Sequence, residues 1–253
     1  MDRVPWLKEA SNHQIPWPCP HCGQNKLYVD EEKILSEESA ESKKKAEHQV
    51  LWEEHTPSGT YSAILSCRNC KQFVISTGNF DVEHLTGRTS DDEEEESVEF
   101  IYFYPKFFDP PLRFFNWPQQ MPKELETILL SAFQLYWINP NSCASKVRSF
   151  IEELLTIEGI AKRRINKNKK RIENIWLNER LLSYKTKNSE VYEILDAIKL
   201  IGNDATHAEG SIERNDCLDA FELLAAALVE IFAKPKKRVK KIIKKIRKQR
   251  ARK

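Results

Sequence analysis

Two cysteine pairs of identical spacing constrain this chain more than any other feature. The first lies in Trp17-Pro18-Cys19-Pro20-His21-Cys22-Gly23 and the second in Ser66-Cys67-Arg68-Asn69-Cys70-Lys71. Two residues between cysteines let a tight turn aim both thiolates at one ion, and two such knuckles complete a tetrahedral set of sulfur ligands. Gly23 suits the positive φ such a turn requires. The spacing predicts one structural zinc ion held by Cys19, Cys22, Cys67 and Cys70, in a closed site that contributes folding energy and leaves no coordination position for chemistry. The β-leaning runs Tyr61 to Ser66 and Gln72 to Ser76 predict a hairpin around the second knuckle.

The 44 residues between Cys22 and Cys67 exceed the roughly 15 to 20 of the common two-knuckle pattern. The polar stretch 30–59 reads as an insertion in a small ribbon, with a solvated helix around Ala46 to Glu54. Two disulfides in a secreted protein are the alternative use of the cysteines, and the opening residues, which lack a signal-peptide pattern, oppose it. No segment reaches the roughly 20 apolar residues of a membrane span, so a cytoplasmic location is expected. His21, His48 and His55 are left out of the ligand set because four thiolates suffice. Cys143 and Cys217 stand alone in helical patterns and read as small buried apolar residues.

The formal net charge of +2 conceals an asymmetry. Residues 234–253 hold 13 of the 40 Lys and Arg and no acid, leaving 27 cations against all 38 acids in the rest of the chain. An acidic body with a basic tail points to a polyanion partner, nucleic acid first and an anionic membrane surface second. Within the tail Val239, Ile242, Ile243 and Ile246 recur at helical spacing, so it can form an amphipathic helix on a partner. The candidate nucleic-acid contacts are Lys236, Lys237, Arg238, Lys240, Lys241, Lys244, Lys245, Arg247 and Lys248. The apolar stripe is thin and lacks aromatics, which disfavours a membrane.

Between these ends, Asp91 to Glu96 is a like-charge block expected to remain a loop. Phe100 to Trp117 is dense in aromatics and interrupted by prolines, and reads as an extended connector that packs on the following domain, with a base-stacking platform as the alternative. From Pro122 the period becomes helical. Helices are expected over 122–138, 142–157, a weaker one ending near Tyr184 with Ile172, Ile175, Trp176, Leu181 and Leu182 inward, one from Ser189 ending at Gly202, and one capped by Asn215. The expected organisation is a zinc ribbon over 1–80, a linker and connector over 81–121, a helical domain over 122–233 and a tail over 234–253. The fold class is accordingly mainly α, an up-and-down helical bundle preceded by a small β zinc ribbon and followed by a basic helical tail.

One constellation in the helical part suggests chemistry. Arg148 and Glu152 lie four apart on one helix, and Lys199 precedes Gly202-Asn203-Asp204-Ala205-Thr206-His207 where another ends. With Pro122, this layout from about Phe100 to Phe232 resembles the bacterial domain-of-unknown-function family 4145, whose members also carry paired N-terminal cysteines. The resemblance implies a HEPN-like helical bundle of the kind found in prokaryotic toxins and antiviral systems, often cutting RNA without a metal. It implies His207 as the acid/base, Asn203 as the group positioning phosphate or ribose, and Lys199 or Arg148 as the cation. The chain departs from the HEPN signature because Gly202 stands where the Arg belongs, and Lys199 occupies a position where members of family 4145 have Arg. A lysine supplies charge but no bidentate fork. The structural alternative is that Gly202 ends its helix while Asn203 and His207 fix the turn.

No nucleophile elbow, phosphate-binding glycine loop or metallohydrolase motif occurs. Two readings remain: a non-enzymatic module whose bundle docks a protein partner or forms a homodimer while the ribbon and basic tail hold nucleic acid, RNA or DNA, and a metal-independent endoribonuclease using His207.

Overall fold

A computed structural model describes residues 1–48, 55–88, 95–166, 170–204 and 212–233. The chain divides into two compact units, one of Met1–Phe114 with Leu130–Cys143, the other of Phe115–Leu129 with the chain from Ala144 onward. Among the described residues, no helix is long and apolar enough to cross a membrane.

The first unit begins with a single helical turn, α1 (Val4–Leu7), and contains strands β1 (Ala10–Ser11), β2 (Leu27–Glu38), β3 (Ser58–Cys67), β4 (Phe73–Arg88) and β5 (Glu95–Asp109), with helix α2 (Ala40–His48) between β2 and β3. They form one antiparallel sheet in the order β1-β5-β4-β3-β2. Asn12, just after β1, brings its Nδ2 within 3.5 Å of Glu31 Oε1 on β2, so the sheet curls until its two outer strands approach.

One face of the sheet is buried and the other is open, as the period-2 alternation requires. On β3, Tyr61, Ala63, Leu65 and Cys67 are buried, while Ile64 between them is 41% exposed. On β5 the alternation changes phase: Phe103 and Pro105 point inward, Lys106 and Phe107 both point outward, and Phe108 is fully buried. The cause is an irregularity in the β4–β5 ladder, where Thr77 pairs with Phe107 but Gly78 pairs with Pro105, leaving Lys106 as the extra residue. Phe108 thereby joins an aromatic cluster, with ring centroids 5.1 Å from Trp17 and 5.0 Å from Trp137. Trp6 stacks on Phe114 at 4.0 Å in the same cluster. Each such ring contributes about 2 kcal/mol by leaving water. The buried Tyr61 and Ser76 hydroxyls pair with each other at 2.8 Å, so neither is buried unsatisfied.

Helix α3 (Lys123–Ile138) contributes its later part to the first unit and its earlier part to the second. The second unit resumes at Ala144 within α4 (Pro140–Ile157) and continues with a hairpin of β6 (Arg163–Asn166) and β7 (Arg171–Asn174), then α5 (Leu177–Lys185), α6 (Ser189–Asp204) and α7 (Arg214–Phe232). α6 packs against both α5 and α7. Val147, Phe150, Ile151, Leu154 and Leu155 are buried along α4, and the lone cysteines, Cys143 on α4 and Cys217 on α7, are buried too. α4 ends in a Schellman turn: Gly159 has φ +86°, its N–H donates to the Thr156 carbonyl (3.0 Å) and the Ile160 N–H to that of Leu155 (2.8 Å).

The mainly helical class expected from sequence does not hold. The first unit is a five-stranded antiparallel sheet with strands of 10 to 16 residues in β2 to β5, far larger than a zinc ribbon. Asp30 to Glu38 continues β2, and α2 covers Ala40–His48; the expected helix around Ala46 to Glu54 has its centre outside the described residues. Much of the expected connector is β5, where Pro105 sits at the ladder irregularity, a position at which strands tolerate proline. Of the acidic block, Glu95 and Glu96 begin β5, whereas residues 91–94 are outside the described residues.

In the second unit, Ile172 lies in the β6–β7 hairpin and not on a helix, and Ile172, Trp176 and Leu182 are 66, 76 and 50% exposed. α6 begins after Asn188, whose Oδ1 accepts from the Val191 N–H, and runs through Gly202 to Asp204. α7 begins after Glu213 in a reciprocal capping box with Asp216, not after Asn215.

Candidate metal centre

The two knuckles fold alike because the same local bonds close each. The Cys19 N–H donates to the Gln24 carbonyl (2.9 Å) and the Gly23 N–H to that of Cys19 (2.8 Å). At the second knuckle, the Cys67 N–H donates to Gln72 (2.9 Å) and the Lys71 N–H to Cys67 (3.0 Å). The residue after the second cysteine is left-handed in both, Gly23 at φ +72° and Lys71 at φ +62°. The sequence signalled only the first of these, because Lys71 accepts a conformation that costs an L-residue about 1 kcal/mol.

The sheet supplies the juxtaposition. Cys67 is the last residue of β3 and pairs with Leu27 at the start of β2, so the chain leaving the first knuckle runs beside the chain entering the second. The Arg68 N–H donates to the Lys26 carbonyl at 2.9 Å, locking the turns together. The residues separating the cysteine pairs are therefore not an insertion in a ribbon. They are the β2–β3 hairpin and the helix in its connection.

All four ligand sulfurs lie within 4.8 Å of one another. Two crossed pairs, Cys19 with Cys70 and Cys22 with Cys67, are 3.7 Å apart. A tetrahedron with metal–sulfur bonds of about 2.3 Å has edges of about 3.8 Å, so the donors fit one tetrahedral ion. They are too far apart for disulfides, and all six cysteines are free. The first cysteine of each knuckle is buried and the second half-buried. The Gln24 backbone N–H and the Asn69 side chain bring the Cys22 thiol down to about 6, and burial pushes Cys19 up to about 12. At Cys70 the Gln72 N–H pulls the thiol down, yet burial and the Cys22 sulfur leave it above its ordinary range. His21 does not join the set: its Nε2 donates to the Phe73 carbonyl at 3.3 Å.

The residues singled out for chemistry in the second unit are held differently. Lys199 is 9% exposed, and its ammonium donates to Asn178 Oδ1 at 2.9 Å and to Asp196 Oδ1 at 2.5 Å. Arg148 places its Nε 3.7 Å from Glu152 Oε1, one turn along α4. Gly202 and Asn203 are helical residues near the end of α6. His207 is outside the described residues, as are Lys236, Lys237, Arg238, Lys240, Lys241, Lys244, Lys245, Arg247 and Lys248.

Two further polar clusters tie elements together and carry no sequence motif. Arg180 is 3% exposed; it donates from Nη2 to Thr156 Oγ1 (2.8 Å) and the Ile160 carbonyl (3.1 Å), while burial lowers its pKa against the pull of Glu152 and Glu153. The signal was a cation inside the inward stripe Leu177, Leu181 and Tyr184. In the first unit, Glu38 Oε1 accepts from Ser42 Oγ (2.7 Å) and His55 Nε2 (2.7 Å), tying α2 and the chain before β3 to the end of β2.

No curated protein and no solved structure matches the chain. The resemblance read from sequence began near Phe100, whereas residues 100–108 and both cysteine pairs fall within a different, N-terminal match. Residues 8–108 match the family model described as Domain of unknown function (DUF8608), and residues 131–249 match that described as Domain of unknown function (DUF4145).

Proposed function

We propose that this chain is a zinc-stapled, non-enzymatic nucleic-acid-binding module. Four sulfur donors without an oxygen or nitrogen ligand suit zinc, and a closed set of four protein ligands is the structural and not the catalytic form of such a site. The observation that carries the nucleic-acid reading is the charge distribution: 13 cations and no acid in residues 234–253, on a body with 27 cations and 38 acids. Neutralising phosphates with such a tail releases counterions and gives sequence-independent, salt-sensitive affinity.

The ribonuclease reading needs a cation free to meet a phosphate. Lys199 is buried and committed to Asp196 and Asn178, so the ribonuclease reading would have to draw its cation from Arg148, and the binding reading needs neither. Binding of labelled RNA and DNA across a salt series tests the proposal, using the intact chain and a full-length variant with the tail lysines and arginines changed to glutamine. Affinity should fall steeply with salt and collapse in the variant, and RNA incubated in EDTA should stay intact. Metal-independent cleavage abolished by His207→Ala would instead establish the enzyme.

A further inference from the structure

We propose that the metal-bearing end of the first unit's sheet, with the open sheet face beside it, binds single-stranded nucleic acid. Arg68 and Lys71 take phosphates there, while the rings of Phe73 and Phe107 stack on bases. The inference rests on the nucleic-acid reading above and assigns it a second contact, separate from the tail.

The first observation is electrostatic. In a chain with 38 acids, segments 10–29 and 56–80 contain none, and these segments build both knuckles, all of β3 and the start of β4. Exposed on them near the cysteines are Lys26, Arg68 and Lys71. Four thiolates around a divalent ion carry a net −2, which these three cations more than offset. The Arg68 guanidinium is already held 4.5 Å over the Tyr28 ring, which reduces the side-chain freedom it would lose on meeting a phosphate.

The second observation is an open aromatic face. Phe73, two residues beyond Lys71, is 55% exposed, and Phe107 is 44% exposed. Phe107 pairs with Thr77, four residues along β4 from Phe73, so the rings sit about 13 Å apart along the strand direction, far enough to take separate bases. Phe107 faces outward only because Lys106 is the extra residue in the ladder. On the same face a depression of about 360 Å³ is lined by Leu35, Thr60, Thr77, Asn79 and Lys106. That volume lies within the range of small-ligand pockets. Lys106 donates to Asn79 Oδ1 (3.0 Å) at its wall, and Glu37, the acid there, is paired with Lys43 at 2.8 Å.

The combination selects the partner. Exposed rings beside cations stack on unpaired bases, whereas a duplex hides its base faces. A symmetric second copy would pack this patch, with its Arg68 and Lys71, against the same cation-bearing patch of its partner.

The test uses the full chain and fluorescence anisotropy with labelled 12-nucleotide oligo-uridine and oligo-thymidine and a duplex of the same length. Phe73→Ala/Phe107→Ala should lose at least about tenfold in single-strand affinity and little for the duplex. Arg68→Gln/Lys71→Gln should make the single-strand salt slope shallower by about 1.4. Metal content and melting temperature, measured in parallel, identify variants that fail to fold. Unchanged single-strand binding in both folded variants overturns the inference and leaves the tail-based reading standing. Unchanged binding accompanied by loss of a dimer in sedimentation gives the face to a second copy and overturns it too. An intact chain that binds no nucleic acid overturns both readings.

Discussion

The sulfurs of Cys22 and Cys67 lie 3.7 Å apart although 45 positions separate them in sequence. β2 and β3 bring them together by pairing Leu27 with Cys67, so a metal at this point fastens the start of one strand to the end of the next. An ion held by the four cysteines would staple one end of the first unit's sheet, whose buried face lies over an aromatic cluster.

The two knuckles carry unequal backbone strain at equivalent positions. Gly23→Ala meets nothing within 4 Å of its new methyl, so its cost is conformational and should be about 1 kcal/mol. Lys71→Gly removes a strained left-handed residue and adds unfolded-state freedom of similar size, leaving stability within about 0.5 kcal/mol of the parent. Denaturant titration of the metal-loaded proteins distinguishes them, and a larger loss for Lys71→Gly than for Gly23→Ala would contradict the account.

Arg180 is the buried cation of the second unit. Arg180→Leu leaves the Ile160 carbonyl and Thr156 hydroxyl without their donor and should destabilise by about 2 kcal/mol. Equilibrium unfolding checks this; a variant as stable as the parent would mean that the arginine offsets only its own burial cost.

Acid should loosen the end of β2. Hydrogen bonds from Ser42 first and His55 second hold the Glu38 carboxyl below the usual carboxylate range. Stability from a depressed carboxylate is complete above its unfolded value near 4.5 and is lost as pH falls through the folded value. Glu38→Gln should flatten this part of the stability profile below about pH 4.5. Melting temperatures from pH 7 to pH 3 read it, and parallel profiles for both proteins would rule the contribution out.

The helices after Pro122 were legible because their apolar residues recur at helical spacing; Val147, Phe150, Ile151, Leu154 and Leu155 are all buried on α4. The four cysteines were legible because ligand spacing is local. The β3–β4 hairpin around the second knuckle was legible from its β-leaning runs, but the whole sheet was not, because β2 and β5 hide their period. Lys33 and Leu35 on β2 are exposed, the latter at 76%, and Pro105 with Lys106 interrupts the alternation of β5 at the ladder irregularity. The β6–β7 hairpin leaves Ile165 73% and Ile172 66% exposed, so no alternation of buried and open faces marked it. Gly202 read as a helix stop, yet α6 continues to Asp204 through a residue that costs about 1 kcal/mol there.

Elemental analysis of the purified chain by mass spectrometry, paired with that of Cys22→Ser, decides whether the four cysteines hold an ion. One zinc per chain is expected, lost or much weakened in the variant, with lower stability after chelation of the parent. A parent chain that carries no metal, or whose four knuckle cysteines prove to be joined as disulfides, would contradict it.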